Sequence, residues 1–223
     1  MTPCSRARYT GAGVLVHRAE VVLTQSTSRI EAFSDGVFAI AITLLILEIR
    51  LPHAGVEGSL WSGLVALWPS YLAFALSFFV ILVTWITHHD LMRLIRTANR
   101  PVQLANGCTL LYVTFIPFPT AVLADYLGGP QASTAVALYC GTFVFGSGAF
   151  NLLAAMIARS QLLRPDVDAQ TLPRVRRGYQ ITFVIYVAAT LIALVAPWVA
   201  LAINVAVRLH LLRIHYQPAA AAN

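Results

Sequence analysis

Polar side chains occur inside long apolar stretches of this sequence, where each one needs a polar partner or water. A charged group at the centre of a membrane span costs about 2.5–3.5 kcal/mol on insertion scales, so such groups face protein or an aqueous cavity. The residues of this kind are Arg29, Ser34, Asp35, Glu48, Trp85, His88, His89, Asp90, Gln103 and Asn106. Together they could coordinate cations, relay protons or hold neighbouring helices in register.

The composition indicates that membrane helices position these side chains. Of the 223 residues, 58% are hydrophobic and 11% are charged, whereas a soluble domain has about 25% charged residues. We predict an all-α membrane protein with six transmembrane helices per subunit, because each span takes about 20 apolar residues. The spans are expected near residues 30–50, 70–91, 104–124, 133–158, 178–195 and 197–213, between tails over 1–28 and 214–223.

The distribution of arginine predicts the orientation in the membrane. All 15 basic residues are arginines, and all but Arg50 fall on one side of the predicted spans, Arg208 and Arg213 at the C-terminal end included. Because basic residues mark cytoplasmic loops, both termini are expected to be cytoplasmic. The net charge of +6 is then explained by topology and by contacts with anionic lipids rather than by nucleic-acid binding.

The polar groups near the cytoplasmic ends of the first three spans fall at similar depth, so they could meet in one layer. Under one interpretation, Trp85, His88 and Asn106 form a hydrogen-bonded layer that only holds the helices in register. Under the other, Arg29 and Asp35 also hold the helices around an aqueous vestibule. The two interpretations are compatible.

Metal binding, transport and catalysis are the other chemistries that these residues could support. Adjacent histidines such as His88 and His89 point about 100° apart on a helix, whereas zinc sites usually pair histidines four residues apart, so no metal site is expected. A secondary transporter or proton pathway could use Asp35, Glu48 and His88. A membrane enzyme acting on lipid could use His88, His89 and Asp90.

Above Asp35, aliphatic residues recur at helical spacing in the first span. Ile40, Leu44 and Leu47 form this pattern, which is typical of core packing and also compatible with a pore lining. Thr43 lies beside Leu44, and its hydroxyl could bond to the carbonyl four residues earlier or face water. Glu48, near the outer end, could raise the local cation concentration at a pore mouth or instead bond to a neighbouring helix.

The remaining segments carry mostly structural signals. Leu60 to Leu67 is predicted to be a short interfacial helix, and Pro117 with Pro119 should kink the third span. Pro165, Asp166, Asp168 and Pro173 indicate a solvated loop between the fourth and fifth spans. The last two spans contain almost no polar side chains, so we expect them to pack against lipid and neighbouring helices.

The first span resembles the transmembrane-protein-175 family of potassium channels, in its bacterial branch. The shared signature is Arg29, three spacer residues and then Phe33-Ser34-Asp35, followed by an apolar helix with a threonine. Supporting matches are Trp85 with His88 and His89, Asn106, and Phe118-Pro119-Thr120. The resemblance covers residues 29–124.

The resemblance implies a homotetramer in the cell membrane, with the first helices around a central pore that conducts potassium, weakly selected over sodium. Ile40 would form an apolar constriction, Thr43 a hydroxyl ring, and Leu44 and Leu47 further apolar layers. The remaining implied contacts join Arg29, Ser34 and Asp35 to Trp85, His88 and Asn106. No cofactor or enzymatic activity is implied, and the permeant ion is K+.

Overall fold

The computed structural model describes residues 25–50 and 59–213 of the chain. The tails predicted over 1–28 and 214–223 therefore lie mostly outside the described residues. Of the first tail, Gln25–Ser26 form a short strand and Thr27 begins a helix.

The described residues form eight α-helices and one small two-stranded sheet. The helices are α1 Thr27–Leu44, α2 Leu60–Ala66, α3 Trp68–Arg93, α4 Arg100–Phe115, α5 Pro117–Tyr126, α6 Ala132–Ser160, α7 Thr171–Ala193 and α8 Pro197–Arg213. Strand β1 is Gln25–Ser26 and strand β2 is Thr97–Ala98, and the two pair antiparallel. Helix α2 confirms the short helix predicted near Leu60 to Leu67.

Four helical segments of the described residues are long and apolar enough to cross a membrane. They are Thr27–Glu48, Trp68–Arg93, Arg100–Tyr126 and Ala132–Ser160. Helices α7 and α8 occupy the positions of the fifth and sixth predicted spans. Helix α7 carries three arginines near its start, and α8 is a shorter apolar helix. That these two also cross the bilayer stays a prediction.

Contacts between distant segments define the two ends of the helical bundle. At one end, β1 pairs with β2 and Ile95 bridges to Leu163, which joins the start of α1 to the α3–α4 and α6–α7 connections. At the other end, Arg50 lies 3.7 Å from Asp125, and the rings of Trp68 and Trp198 stack 6.3 Å apart. The first end carries most of the arginines, as the charge pattern predicts.

Two predicted spans are irregular. The first is α-helical only to Leu44 and continues as a 3-10 helix over Leu45–Glu48. The third breaks at Ile116 into α4 and α5. Pro117 and Pro119 lack the amide hydrogens that a continuous helix would use there, so the predicted kink is confirmed.

The loop predicted between the fourth and fifth spans is shorter than expected. Helix α7 begins at Thr171, so Pro173 and the arginines after it are helical. Proline is tolerated in the first turn of a helix, where its missing N–H would have no partner. Placing Pro173 in a loop was therefore wrong, while Pro165, Asp166 and Asp168 do lie in the connection.

Helix α6 packs against α4, α5, α7 and α8, and α1 packs on α3 and α4 at one side. Among the described glycines the tightest site is Gly146 on α6, where an added Cβ would lie 2.4 Å from Tyr112 Cζ. Only glycine leaves room for the Tyr112 ring against α6. Gly146 therefore permits the close contact between α4 and α6 at this point.

Candidate functional site

Helix α1 buries one face and exposes the opposite one. Its buried residues are Ile30, Ser34, Phe38 and Ala41. The other side of α1 and of its 3-10 extension presents Phe33, Ile40, Leu44 and Leu47, which are 68, 62, 43 and 69% exposed. We call these four residues the α1 stripe. The sequence pattern could not decide whether this side packs in a core, and residues 25–50 and 59–213 of one chain leave it uncovered.

The buried face of α1 is joined to α3 and α4 by hydrogen bonds between three buried side chains. The Asn106 amide donates to Ser34 Oγ at 3.0 Å, and the Asn106 carbonyl oxygen lies 2.7 Å from His88 Nε2. In this arrangement His88 Nε2 carries the hydrogen, because an amide carbonyl oxygen can only accept. Ser34 Oγ in turn donates to the Ile30 carbonyl at 2.8 Å. Buried polar groups are costly unless paired, so this chain favours one rotation of α1.

A second polar contact lies beside the first. Trp85 Nε1 donates to Asp35 Oδ1 at 2.8 Å, and the Trp85 ring stacks on His89 at 5.8 Å between centroids. The His88 ring also contacts Phe38 at 5.4 Å. The structure thus brings together Ser34, Asp35, Trp85, His88 and Asn106, as one depth layer predicted.

Arg29 and Glu48 do not join this layer. The Arg29 side chain is exposed and forms no hydrogen bond or ion pair within residues 25–50 and 59–213. Its side chain lines a groove of about 370 Å³ together with Phe33, Gln103 and Asn106. Glu48, half-buried near the other end of the bundle, also has no partner within the described ranges.

The Thr43 hydroxyl bonds back to its own helix. Thr43 Oγ1 donates towards the carbonyls of Ala39 and Ile40 at 3.0 and 2.9 Å, and the residue is exposed. Of the two alternatives left open by the sequence, back-bonding is observed, but the exposed oxygen keeps lone pairs that could accept a hydrogen bond or contact a cation.

Comparison with known proteins identifies relatives of this chain. Residues 29–117 match the family model described as endosomal/lysosomal potassium channel TMEM175. A potassium channel of Chamaesiphon minutus is 43% identical over 180 residues, which cover 79% of this chain and 89% of that protein. The chain belongs to the TMEM175 family. This family consists of ion channels rather than enzymes, so the enzymatic alternative through His88, His89 and Asp90 is excluded.

A solved TMEM175 structure has the same fold. The crystal structure of a lysosomal potassium-selective channel TMEM175 homolog from Chamaesiphon minutus superposes with a TM-score of 0.76 at 38% identity, covering 83% of this chain and 96% of that one. Human endosomal/lysosomal proton channel TMEM175 is 32% identical over 153 residues, which cover 64% of this chain and 30% of the human protein. Members of the TMEM175 family thus carry names for two different permeant cations.

The sequence analysis did not predict that α8 buries polar side chains. Arg208, assigned there to the C-terminal set of topology arginines, is 6% exposed and buried among α3, α4, α6 and α7. Asn204 is also buried and donates to Cys140 Sγ at 3.0 Å. The expectation of an almost purely apolar last span was wrong. Two strongly polar residues four apart occupy one helical face, and this signal could have indicated a buried site.

Proposed function

We propose that this TMEM175-family protein is one subunit of a homotetrameric, potassium-selective cation channel in the cell membrane. Each subunit would cross the bilayer six times with both termini in the cytoplasm, and α1 would line the central pore. The observation that supports this proposal is the exposed α1 stripe. The described part of the chain leaves this stripe uncovered, and the buried Ser34–Asn106–His88 chain holds the other face of the helix.

The gate in this proposal is apolar. Four Ile40 side chains around a shared axis would exclude water when close together, because a narrow hydrophobic constriction dewets. Leu44 and Leu47 would add two further apolar layers towards the outer mouth. A small outward movement of α1 would then admit a partly dehydrated cation.

Selection in this proposal depends on the Thr43 ring. Because its hydrogen is donated to backbone carbonyls, each Thr43 hydroxyl can act towards the pore only as an acceptor, and a cation can bind to its oxygen. Potassium sheds water more easily than sodium, so weak coordination by hydroxyl oxygens would favour it modestly. Glu48 would raise the cation concentration at the outer mouth.

The Asp35–Trp85 contact and the Ser34–Asn106–His88 chain would hold α1 in the conducting rotation. Arg29 would complete this network across the subunit boundary. Its exposed guanidinium lines a groove beside α1, where a neighbouring subunit could supply an acceptor. Arginine is suited to such contacts because its planar head presents five donors.

The test compares Ile40→Asn with Val184→Asn. Val184 on α7 is 65% exposed and Ile40 is 62% exposed, and both are β-branched, so the two changes match in chemistry and accessibility. In potassium-loaded liposomes under a potassium/sodium gradient, Ile40→Asn should raise conductance at least several-fold and reduce selectivity. Val184→Asn should leave both unchanged. Wild-type protein without potassium flux, or equal behaviour of the two variants, would refute the proposal.

Proton conduction or secondary transport is the second candidate function. It is favoured by the name of the human relative and by the imidazole, amide and hydroxyl linked in series through Asn106. A proton could not pass directly between the two carboxylates, because Asp35 and Glu48 are about 20 Å apart along the helix axis. Current carried by protons when an impermeant cation replaces potassium, or flux that saturates, would favour this candidate over a potassium channel.

A further inference from the structure

The backbones of α3 and α4 approach each other at few points, although α1 packs against both helices. Away from α1, α3 packs mainly on α5 and α8, whereas α4 packs mainly on α6. Hydrogen bonds between side chains therefore contribute much of the direct connection between α3 and α4. One of these bonds joins His88 to Asn106 at 2.7 Å and belongs to the chain that holds α1.

Arg208 on α8 supplies a second link between α3 and α4. Its Nη1 donates to Thr84 Oγ1 on α3 at 3.3 Å, and its Nη2 donates to Tyr112 Oη on α4 at 3.2 Å. We call the set Thr84, Arg208 and Tyr112 the Arg208 bridge. Because a guanidinium is planar and presents its donors in a rigid fork, the bridge holds its two acceptors at one separation.

The surrounding helices fix the centre of the Arg208 bridge. Arg208 is 6% exposed, and the rings of Phe143 on α6 and Tyr186 on α7 lie 5.1 and 5.3 Å from its Cζ. Aromatic faces attract a guanidinium, so both rings hold the charged group in place. Breaking a buried charge away from its partners is costly. The bridge therefore favours one spacing of α3 and α4.

Both ends of the bridge lie close along the chain to residues that contact α1. Thr84 is followed directly by Trp85, whose indole donates to Asp35 on α1 at 2.8 Å. On α4, Tyr112 lies less than two turns after Asn106, whose amide donates to the buried face of α1. A change in the spacing of α3 and α4 would therefore strain the two contacts that hold α1.

We infer that Arg208 is a positioning residue for α1. From α8 it fixes the spacing of α3 and α4, and that spacing fixes the rotation of α1. Loss of the bridge lets α3 and α4 separate, so that α1 leaves the conducting rotation and the α1 stripe moves away from the shared axis. The effect on conduction rests on the proposed function, whereas the effect on helix spacing does not.

The deciding experiment cuts each end of the bridge in the full-length protein and leaves the guanidinium in place. Thr84→Val and Tyr112→Phe each remove one acceptor and nearly preserve the shape of the side chain, and each should lower potassium flux in liposomes several-fold. Because either change breaks the same bridge, the double variant should conduct like the single variants, as non-additive behaviour of coupled residues requires. Flux losses that multiply in the double variant would assign independent roles to the two residues and overturn the inference.

Thr87→Val and Tyr186→Phe are the matched controls. Thr87 Oγ1 donates to a carbonyl of its own helix, as Thr84 Oγ1 also does, so Thr87→Val loses the same kind of bond outside the bridge. Tyr186 lies beside the guanidinium, but its hydroxyl has no hydrogen-bond partner within residues 25–50 and 59–213. Both controls should conduct like wild type. A lower Tm with wild-type flux in the two bridge variants would show that the bridge only stabilises the fold, against the inference.

A fluorine NMR signal of Trp85 tests the helix spacing without ion flux. In full-length protein labelled with fluorotryptophan, Trp85→Phe identifies this signal among those of the four tryptophans. Tyr112→Phe should shift the signal and Tyr186→Phe should not, because Tyr112 is joined to α3 through Arg208. An unshifted signal in Tyr112→Phe would overturn the inference whatever the flux. Wild-type protein without potassium flux would refute the channel proposal alone, and the fluorine signal would still decide on Arg208.

Discussion

His88 Nε2 lies 2.7 Å from the side-chain carbonyl oxygen of Asn106, and through Asn106 it is connected to Ser34 on α1. One amide thus links three helices, accepting from α3 and donating to α1 from its position on α4. All three side chains are buried, so a bond that is lost leaves a buried polar group unpaired, which is costly. The rotation of α1, which decides where the α1 stripe points, depends on this amide.

Replacing Asn106 with leucine should destabilise the protein, because His88 Nε2 and Ser34 Oγ would both lose a partner. Each buried group left unsatisfied costs about 1–3 kcal/mol, so a clear fall in Tm is expected, together with altered conductance as α1 loses its orientation. The measurements are thermal unfolding in detergent and flux in liposomes. Gln103→Leu is the control on the same helix, since the Gln103 side chain forms no hydrogen bond within the described ranges. Near-wild-type Tm and flux in Asn106→Leu would show that the amide is dispensable.

Replacing Thr43 with valine keeps the shape of the side chain and removes its oxygen. That hydroxyl is exposed and bonds only to its own helix. The free energy of unfolding should therefore change by less than about 0.5 kcal/mol, as for other surface changes. Potassium conductance should fall several-fold and the preference for potassium over sodium should decrease. Thr43→Ser, which restores the oxygen, should conduct like wild type. Equal single-channel currents in the valine and serine variants would exclude a coordinating role.

Replacing Gly146 with alanine should destabilise the protein by about 1–3 kcal/mol, as overpacking of a tight core does. The added Cβ would lie 2.4 Å from Tyr112 Cζ, and a rigid ring can move only by displacing its neighbours. Tyr112 accepts a hydrogen bond from Arg208, so its displacement would also weaken that buried contact.

Gly148→Ala is the matched control for this change. It lies two residues further along α6, and the nearest atom to an added Cβ is Phe183 Cε2 at 3.8 Å, an ordinary contact. Alanine is favoured over glycine inside a helix by about 0.5–1 kcal/mol, so the Tm should stay equal or rise. Equal losses of stability in both variants would show that close packing at Tyr112 is not the cause.

Much of the fold could be predicted because its signals are local. Apolar stretches of spanning length predicted helices at six positions, and the structure has helical segments at each of them. Two prolines predicted the break between α4 and α5. The polar layer was predictable because Asp35, His88 and Asn106 lie near span ends that topology brings to the same depth. Local signals were insufficient at the start of α7, where an early proline indicated a loop although it fits a first turn.

Composition, the spacing of apolar residues and the position of arginines by themselves determined that this chain is a bundle of membrane helices, and the motif at Phe33-Ser34-Asp35 determined its family. Only the tertiary structure decided how each helix is rotated. Arg208 is the clearest example, since its partners Thr84 and Tyr112 are 124 and 96 residues away. Helix formation depends on neighbours within a few residues, whereas burial of a side chain depends on which distant helix packs against it.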